Sequence, residues 1–329
     1  MRIAILGGGG FLGRKIAQRL ARDGALGGRP VTGLTLFDMH RPAPLDAPFP
    51  VDTVAGDVVD LPEAAVPAGT DAVFHLAAVV SAQAEADYDL GRRVNLRGTD
   101  AVVDACRRLV AGGGKPPRVV FTSSVASFSG GQGAVPGDAA RQIPTNSYGA
   151  QKAAAELILA DATRRGFMDA VCLRLPTVIV RPGRPNKAAS SFFSAVVREP
   201  LLGLRTELPV ADGFAAWFCS PRRAVDWLLH AAAMDTAPMG IDRGVNPPGI
   251  ATTIGDLIAA LDRAAPGASA LIDRAPDPTV EAIVGPWPPR FDTPRALALG
   301  FAPHEPVDDI VRAFVEDDLA ATKADRGIA

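Results

Sequence analysis

Short apolar runs and longer amphipathic stretches alternate through the first half of the chain. Arg2 to Leu6 is an apolar run that stops at a glycine cluster, and Arg14 to Asp23 continues with apolar residues at helical spacing. Gly33 to Phe37, Val51 to Ala55, Asp71 to His75, Pro117 to Phe121 and Val171 to Leu175 are further short runs bounded by turn residues. Such runs read as buried strands, and apolar positions three and four apart read as helix faces. Helices are expected over Arg92 to Val110 and from about Ser147 onward. The alternation predicts an α/β fold built on a doubly wound parallel sheet, whose ligands bind at the carboxyl ends of the strands. Thr252 to Ala264 and Val307 to Ala321 read as amphipathic helices of a smaller lobe. Two lobes are therefore expected, over residues 1–176 and 177–329, with segments of the second free to return to the sheet.

Composition narrows the ligand. The formal net charge is -2 and the Lys and Arg residues are scattered, which argues against nucleic acid or an anionic membrane as partner and in favour of a small molecule. Cys106, Cys172 and Cys219 are odd in number and far apart, and the four histidines form no His-x-x-x-His pair. Neither disulfides nor a metal site is expected. No apolar run reaches the ~18 residues of a membrane span, and the chain begins directly on a strand. A soluble, cytoplasmic protein is the expectation.

The glycine cluster carries the first chemistry. Gly7, Gly10 and Gly13, with Phe11 and Leu12 between them, sit between a strand and a helix. Glycines so placed allow a tight turn and close approach to a pyrophosphate, and free N–H groups at the helix start face the phosphates. This marks a Rossmann-type dinucleotide site. Asp38 ends the second strand, where an acid accepts from the adenosine ribose and repels a 2'-phosphate, so NAD is expected, although Arg41 lies three residues on. Asp57 is either an acceptor for the adenine amino group or an ordinary turn residue. Leu76, Ala77 and Ala78 suit a wall against a cofactor or plain packing, and Asn95 either supports the site through its amide or faces solvent.

A second group of residues suits proton transfer. Thr122, Ser123 and Ser124 close a strand, and the loop from Phe128 to Pro144 can return the chain to the same edge at Tyr148. Tyr148, one of two tyrosines, precedes Lys152 by about one helical turn. An ammonium on the same face is expected to favour the phenolate and bring Tyr148 down from the usual ~10.

These pieces, in this order and spacing, resemble the extended short-chain dehydrogenases/reductases, the superfamily that includes nucleotide-sugar epimerases and dehydratases. The resemblance implies Tyr148 as the base, with Lys152 and Ser124 assisting. It implies NAD held by Gly7, Gly10, Phe11, Leu12, Gly13, Asp38, Asp57, Leu76, Ala77, Ala78, Asn95, Ser123, Tyr148, Lys152 and Pro176. Where sugar-nucleotide members tend to carry Tyr-Gly and Arg-x-Phe-Asn, this chain has Phe128-Ser129 and Arg174-Leu175-Pro176-Thr177. The segments Arg174 to Lys187, Ala188 to Phe193, Arg198 to Leu201, Ser220 to Arg223, Trp287-Pro288, Phe291-Asp292 and Arg295 to Phe301 are instead similar to the D-erythronate dehydrogenase group. That similarity implies oxidation of a four-carbon sugar acid at C2. The loop Arg181 to Lys187 gathers Arg181, Arg184, Asn186 and Lys187 before a helix start, a setting suited to a carboxylate. Arg184, Asn186 and Lys187 are the expected substrate contacts beside Ser124 and Tyr148, with Arg222 or Arg223 next in line. The competing readings are a nucleotide-sugar epimerase or dehydratase and a non-catalytic NAD-binding sensor. The expected assembly is a homodimer.

Overall fold

The structure, a computed structural model, describes residues 1–131, 135–184 and 189–328. Its centre is a seven-stranded sheet in which every neighbouring pair is parallel. In chain order the strands are β1 (Arg2–Leu6), β2 (Gly33–Asp38), β3 (Val51–Ala55), β4 (Thr70–His75), β5 (Arg118–Ser124) and β6 (Asp169–Leu175). The short strands β7 (Thr177–Val178) and β8 (Ala215–Cys219) lie outside this sheet, and β9 (Gly244–Val245) completes it. The spatial order is β9-β6-β5-β4-β1-β2-β3. Direction of growth reverses between β1 and β4, and a crevice opens there at the carboxyl ends of the strands.

Strand period two explains the two faces. Ile3, Ile5, Leu34, Leu36, Phe74 and Val120 point to one side, where they meet helices α1 (Phe11–Asp23) and, from the second half of the chain, Pro221–Ala233. Ala4, Leu6, Phe37, Val73, Val119 and Phe121 point to the other. There they meet α2 (Gly98–Ala111) and α3 (Ser147–Arg164). Helix α3 starts where it does because the Asn146 side chain accepts from the Gly149 amide at 2.7 Å.

The smaller lobe has its own core. It contains α4 (Phe192–Leu201), α6 (Ile254–Ala264) and α7 (Val307–Asp317), with the helix Pro221–Ala233 counted as α5. A three-stranded sheet, β10 (Ile250–Thr253), β8 and β7, joins this lobe to the end of β6. The second half thus gives β9 and α5 to the first half's sheet.

Local details depart from the sequence expectation. The stretch expected as one helix from Arg92 is interrupted by a π-helical turn, Arg93–Arg97, ahead of α2. Such turns recur at functional sites, and this one carries Asn95. The expected helix Val307 to Ala321 breaks at Asp318, between α7 and a short helix Leu319–Arg326. A small hairpin, Ala25–Leu26 with Arg29–Pro30, was not anticipated. Among the described residues no helix is long and apolar enough to cross a membrane, and no cluster of His, Cys, Asp and Glu could hold a metal.

Candidate active site

A cleft of about 600 Å³ runs along the carboxyl ends of the strands. One end is built by the glycine turn. Gly7 has φ +92°, and a Cβ at Gly13 would lie 2.1 Å from the Gly7 carbonyl oxygen, so the turn closes this tightly only without side chains. No side chain caps α1, and Phe11, Leu12 and Gly13 border the cleft, so the first amides of the helix open onto it. Asp38 lies on the rim, accepting from the Gly9 amide at 3.0 Å and the Met39 amide at 2.8 Å. Arg41 instead donates to the Thr53 carbonyl and is not part of the cleft wall. Asp57 also reaches the wall, where it caps the next turn through the Val59 amide at 3.1 Å and pairs with Arg93 at 2.7 Å.

The middle of the cleft is walled by Leu76, Ala77, Ala78 and Pro176. Asn95 stands one layer behind them. It is buried, accepts from the Val79 amide at 2.9 Å, and donates to the Val79 carbonyl and to Gln151 at 3.0 and 2.7 Å. Its amide holds the Ala78-Val79 segment in place, and the side chain does not border the cleft.

At the other end β5 delivers Ser123 and Ser124, and the first turn of α3 delivers Tyr148. The Ser124 side chain lies close enough to the phenol to favour its ionised form. Lys152 is almost wholly buried beneath it, with Nζ 5.6 Å from the Tyr148 ring centroid, 4.5 Å from that of Phe121 and donating to the Thr122 carbonyl at 2.8 Å. The electrostatics correct the sequence expectation of a lowered phenol. Burial pushes Tyr148 up to about 12, opposed by the Arg181 cation and the Ser124 side chain. Burial likewise pushes Lys152 down to about 7 against the pull of Glu156. The ammonium is directed at a backbone carbonyl, and the cation that acts on the phenol is Arg181.

Glu156 continues the Tyr148 and Lys152 stripe by one more turn of α3. It binds Arg174, from the end of β6, at 2.8, 3.0 and 3.2 Å, accepts from Gln142 at 2.9 Å and accepts the Ser123 hydroxyl hydrogen. Both charges are buried. An arginine inside the apolar run from Val171 to Leu175 was the sequence signal for this pair, because a charge in a buried strand needs a partner.

Of the loop after β6, Arg181 borders the cleft and Arg184 the space next to it. Arg181 is exposed at the cleft, and desolvation by the protein packed around it lowers its pKa. It forms no ion pair among the described residues; its Nε donates to the Val178 carbonyl at 3.0 Å. Asn186 and Lys187 lie outside the described residues. Arg222 is not at the cleft, because it pairs with Asp317 and Glu316, and Arg223 does not border the cleft either.

Residues 3–217 match the NAD dependent epimerase/dehydratase family. The chain is 46% identical over 326 residues to D-erythronate dehydrogenase of Cupriavidus necator, covering 96% of this chain and 98% of that protein. It is 34% identical to D-erythronate dehydrogenase of Haemophilus influenzae, covering 97% and 100%. A crystal structure described as the nucleoside-diphosphate-sugar epimerase from Agrobacterium tumefaciens superposes with a TM-score of 0.91 at 44% identity, over 97% of this chain and 95% of that one. L-threonine dehydrogenase of Clostridium difficile, at 17% identity and a TM-score of 0.80, shares the fold. Family match, near-complete coverage and the glycine turn with its Ser124, Tyr148 and Lys152 agree: the chain belongs to the NAD dependent epimerase/dehydratase family, among the extended short-chain dehydrogenases/reductases.

Proposed function

We propose that the protein is an NAD-dependent oxidoreductase acting on a CH–OH group, and that it oxidises the C2 hydroxyl of D-erythronate or a related four-carbon sugar acid to the 2-oxo acid. The observation that carries this reading is Arg181, a cation without an ion-pair partner among the described residues, at the same end of the cleft as Ser124 and Tyr148. In a 2-hydroxy acid the reacting carbon is bonded to the carboxylate carbon, so a cation beside the base suits it. The two relatives named D-erythronate dehydrogenase support the same substrate class.

The other end fits NAD. A cradle that a Cβ at Gly13 would fill, amides at the start of α1 and the Asp38 carboxylate suit pyrophosphate and adenosine ribose. When bound, NAD supplies the acceptor for the hydride leaving the substrate carbon. The chain's own part is the proton. Tyr148 Oη takes it from the substrate hydroxyl, and Ser124 donates to the oxygen that changes charge. Arg181 and Ser124 favour the phenolate, against the burial that leaves the phenol raised to about 12. Lys152 donates to the Thr122 carbonyl beneath the ring and so holds the end of the strand that carries Ser124.

A second reading, a nucleotide-sugar epimerase or dehydratase, draws support from the Agrobacterium tumefaciens structure's description. Such an enzyme returns its cofactor to the starting state within each cycle. NADH absorbance separates the two: the purified protein with NAD and D-erythronate is expected to form NADH in step with acid consumed. No net NADH from any free sugar acid, together with interconversion of a nucleotide sugar, would replace the dehydrogenase reading.

A further inference from the structure

Beside the reacting end lies a smaller pocket of about 90 Å³, bordered by Val178, Ile179, Arg181, Ser190, Ser194 and Arg198. It shares Val178 and Arg181 with the main cleft. Arg198, on α4, is only 2% exposed. Its Nε donates to Glu199 at 2.7 Å and its Nη1 to the Arg181 carbonyl at 2.7 Å, but its Nη2 has no partner. A buried, unpaired N–H on a charged group is costly and rarely left so.

Charge is also out of balance. Glu199 does not serve Arg198 alone, because Arg326 binds both of its oxygens, at 2.6 and 3.0 Å. Two guanidinium groups therefore share one carboxylate, and Arg181 adds a third cation with no acid opposite it among the described residues. Burial lowers the pKa of Arg198 and of Arg181, the direction expected of cations whose charge is incompletely met. The volume suits a single small oxyanion, since one water occupies ~30 Å³ of liquid. It is far too small for a nucleotide.

We infer that this pocket, bordered by the Arg198 and Arg181 side chains, is an oxyanion subsite, and that it receives the carboxylate of the substrate. The inference rests on the small-acid reading of the cleft. Arg181 links the two spaces, since its side chain borders both and its carbonyl holds Arg198. Inorganic phosphate offers the same chemistry from another source, so the test separates the two.

Two variants are compared with wild type: Arg198→Ala, and Ser190→Asp, which places a carboxylate in the pocket without removing a buried arginine. Steady-state kinetics with D-erythronate should show KM raised by about 10- to 100-fold in both, the loss of one charged hydrogen bond. NADH affinity, read by fluorescence titration, should be unchanged, and weak inhibition by erythritol, the neutral four-carbon analogue, should not move. Guanidinium ion should partly restore KM in Arg198→Ala. If KM is unmoved but phosphate raises the wild-type melting temperature and not that of either variant, the subsite stands with phosphate as its occupant. A folded Ser190→Asp protein with wild-type KM and wild-type phosphate stabilisation would overturn it. Absence of NADH from D-erythronate in the wild type would sink the substrate reading alone, because thermal stabilisation by erythronate or phosphate still reports on the pocket.

Discussion

Glu156 and Glu199 are both buried glutamates bound to arginine, and they leave very different remainders. Glu156 hydrogen-bonds one arginine and two neutral donors, Ser123 and Gln142, so its charge is met and its acceptor oxygens are filled. Glu199 meets two arginines, and an Arg198 N–H is left over. The first cluster is closed and holds Ser123 in place. The second is open, and its surplus positive charge borders a space large enough for a ligand group. The difference teaches how to read a buried charge: a balanced cluster holds structure, whereas an unbalanced one points to what binds.

The comparison can be broken in several ways. The largest effect is expected at the reacting end itself. Tyr148→Phe should lower kcat by ~10²- to 10⁴-fold while NADH affinity and melting temperature stay close to wild type. Turnover near the wild-type rate would show that neither cluster serves this phenol.

Next come the glutamates themselves. Glu156→Gln strands Arg174 and should cost about 3 to 5 kcal/mol in urea unfolding, while Glu156→Met combined with Arg174→Met should cost clearly less. Glu199→Gln strands two guanidinium groups and should cost as much, but added phosphate should recover part of the loss there and none in Glu156→Gln. Equal recovery in both would erase the contrast between a closed and an open cluster.

At the far end of the cleft the Asp38 carboxylate is the group expected to set the preference between the two nicotinamide cofactors. Asp38→Ala should weaken NAD by about 1.5 to 3 kcal/mol in a binding titration and narrow its advantage over NADP. Wild-type protein that prefers NADP would mean that Asp38 has been misassigned.

The smallest effect is a slope. Lys152 titrates near 7 in the folded protein against 10.5 as its ordinary value. Below pH 7 it is protonated in both states. Between 7 and 10.5 the unfolded chain holds a proton that the folded one has lost, so this residue's contribution to stability rises with pH across that window, by at most about 1.4 kcal/mol per pH unit. Tyr148, raised to about 12 from 10.0, acts in the opposite direction above pH 10. Melting temperatures from pH 7 to 10 should therefore climb more steeply in wild type than in Lys152→Met, and parallel curves would contradict the buried, weakly basic lysine.

How legible these features were depended on sequence distance. The glycine turn and the Tyr148 and Lys152 pair are contiguous, so backbone freedom and helical spacing revealed them directly. Asn95 was visible as a helix residue near the site, but its place behind the wall depends on Val79 and Gln151, sixteen and fifty-six residues away. The raised phenol was illegible because it comes from burial and from Arg181, neither of which lies on α3. The open cluster was hidden most deeply, since Arg326 reaches Glu199 across 127 positions. β9 is two residues long, too short for any periodicity to announce it.

That two-residue strand and helix α5 have a consequence during synthesis. The apolar face formed by Ile3, Ile5, Leu34, Leu36, Phe74 and Val120 is finished only when Ala224, Trp227, Leu228 and Ala231 arrive to cover it. A ribosome adds on the order of 5 to 20 residues per second. For several seconds the nascent chain therefore carries six strands' worth of sequence with one side covered only by α1, and a stalled or truncated product ending before Pro221 would keep the rest of that side bare. Cutting the gene at residue 176 should accordingly yield an aggregating fragment rather than a free-standing nucleotide-binding half.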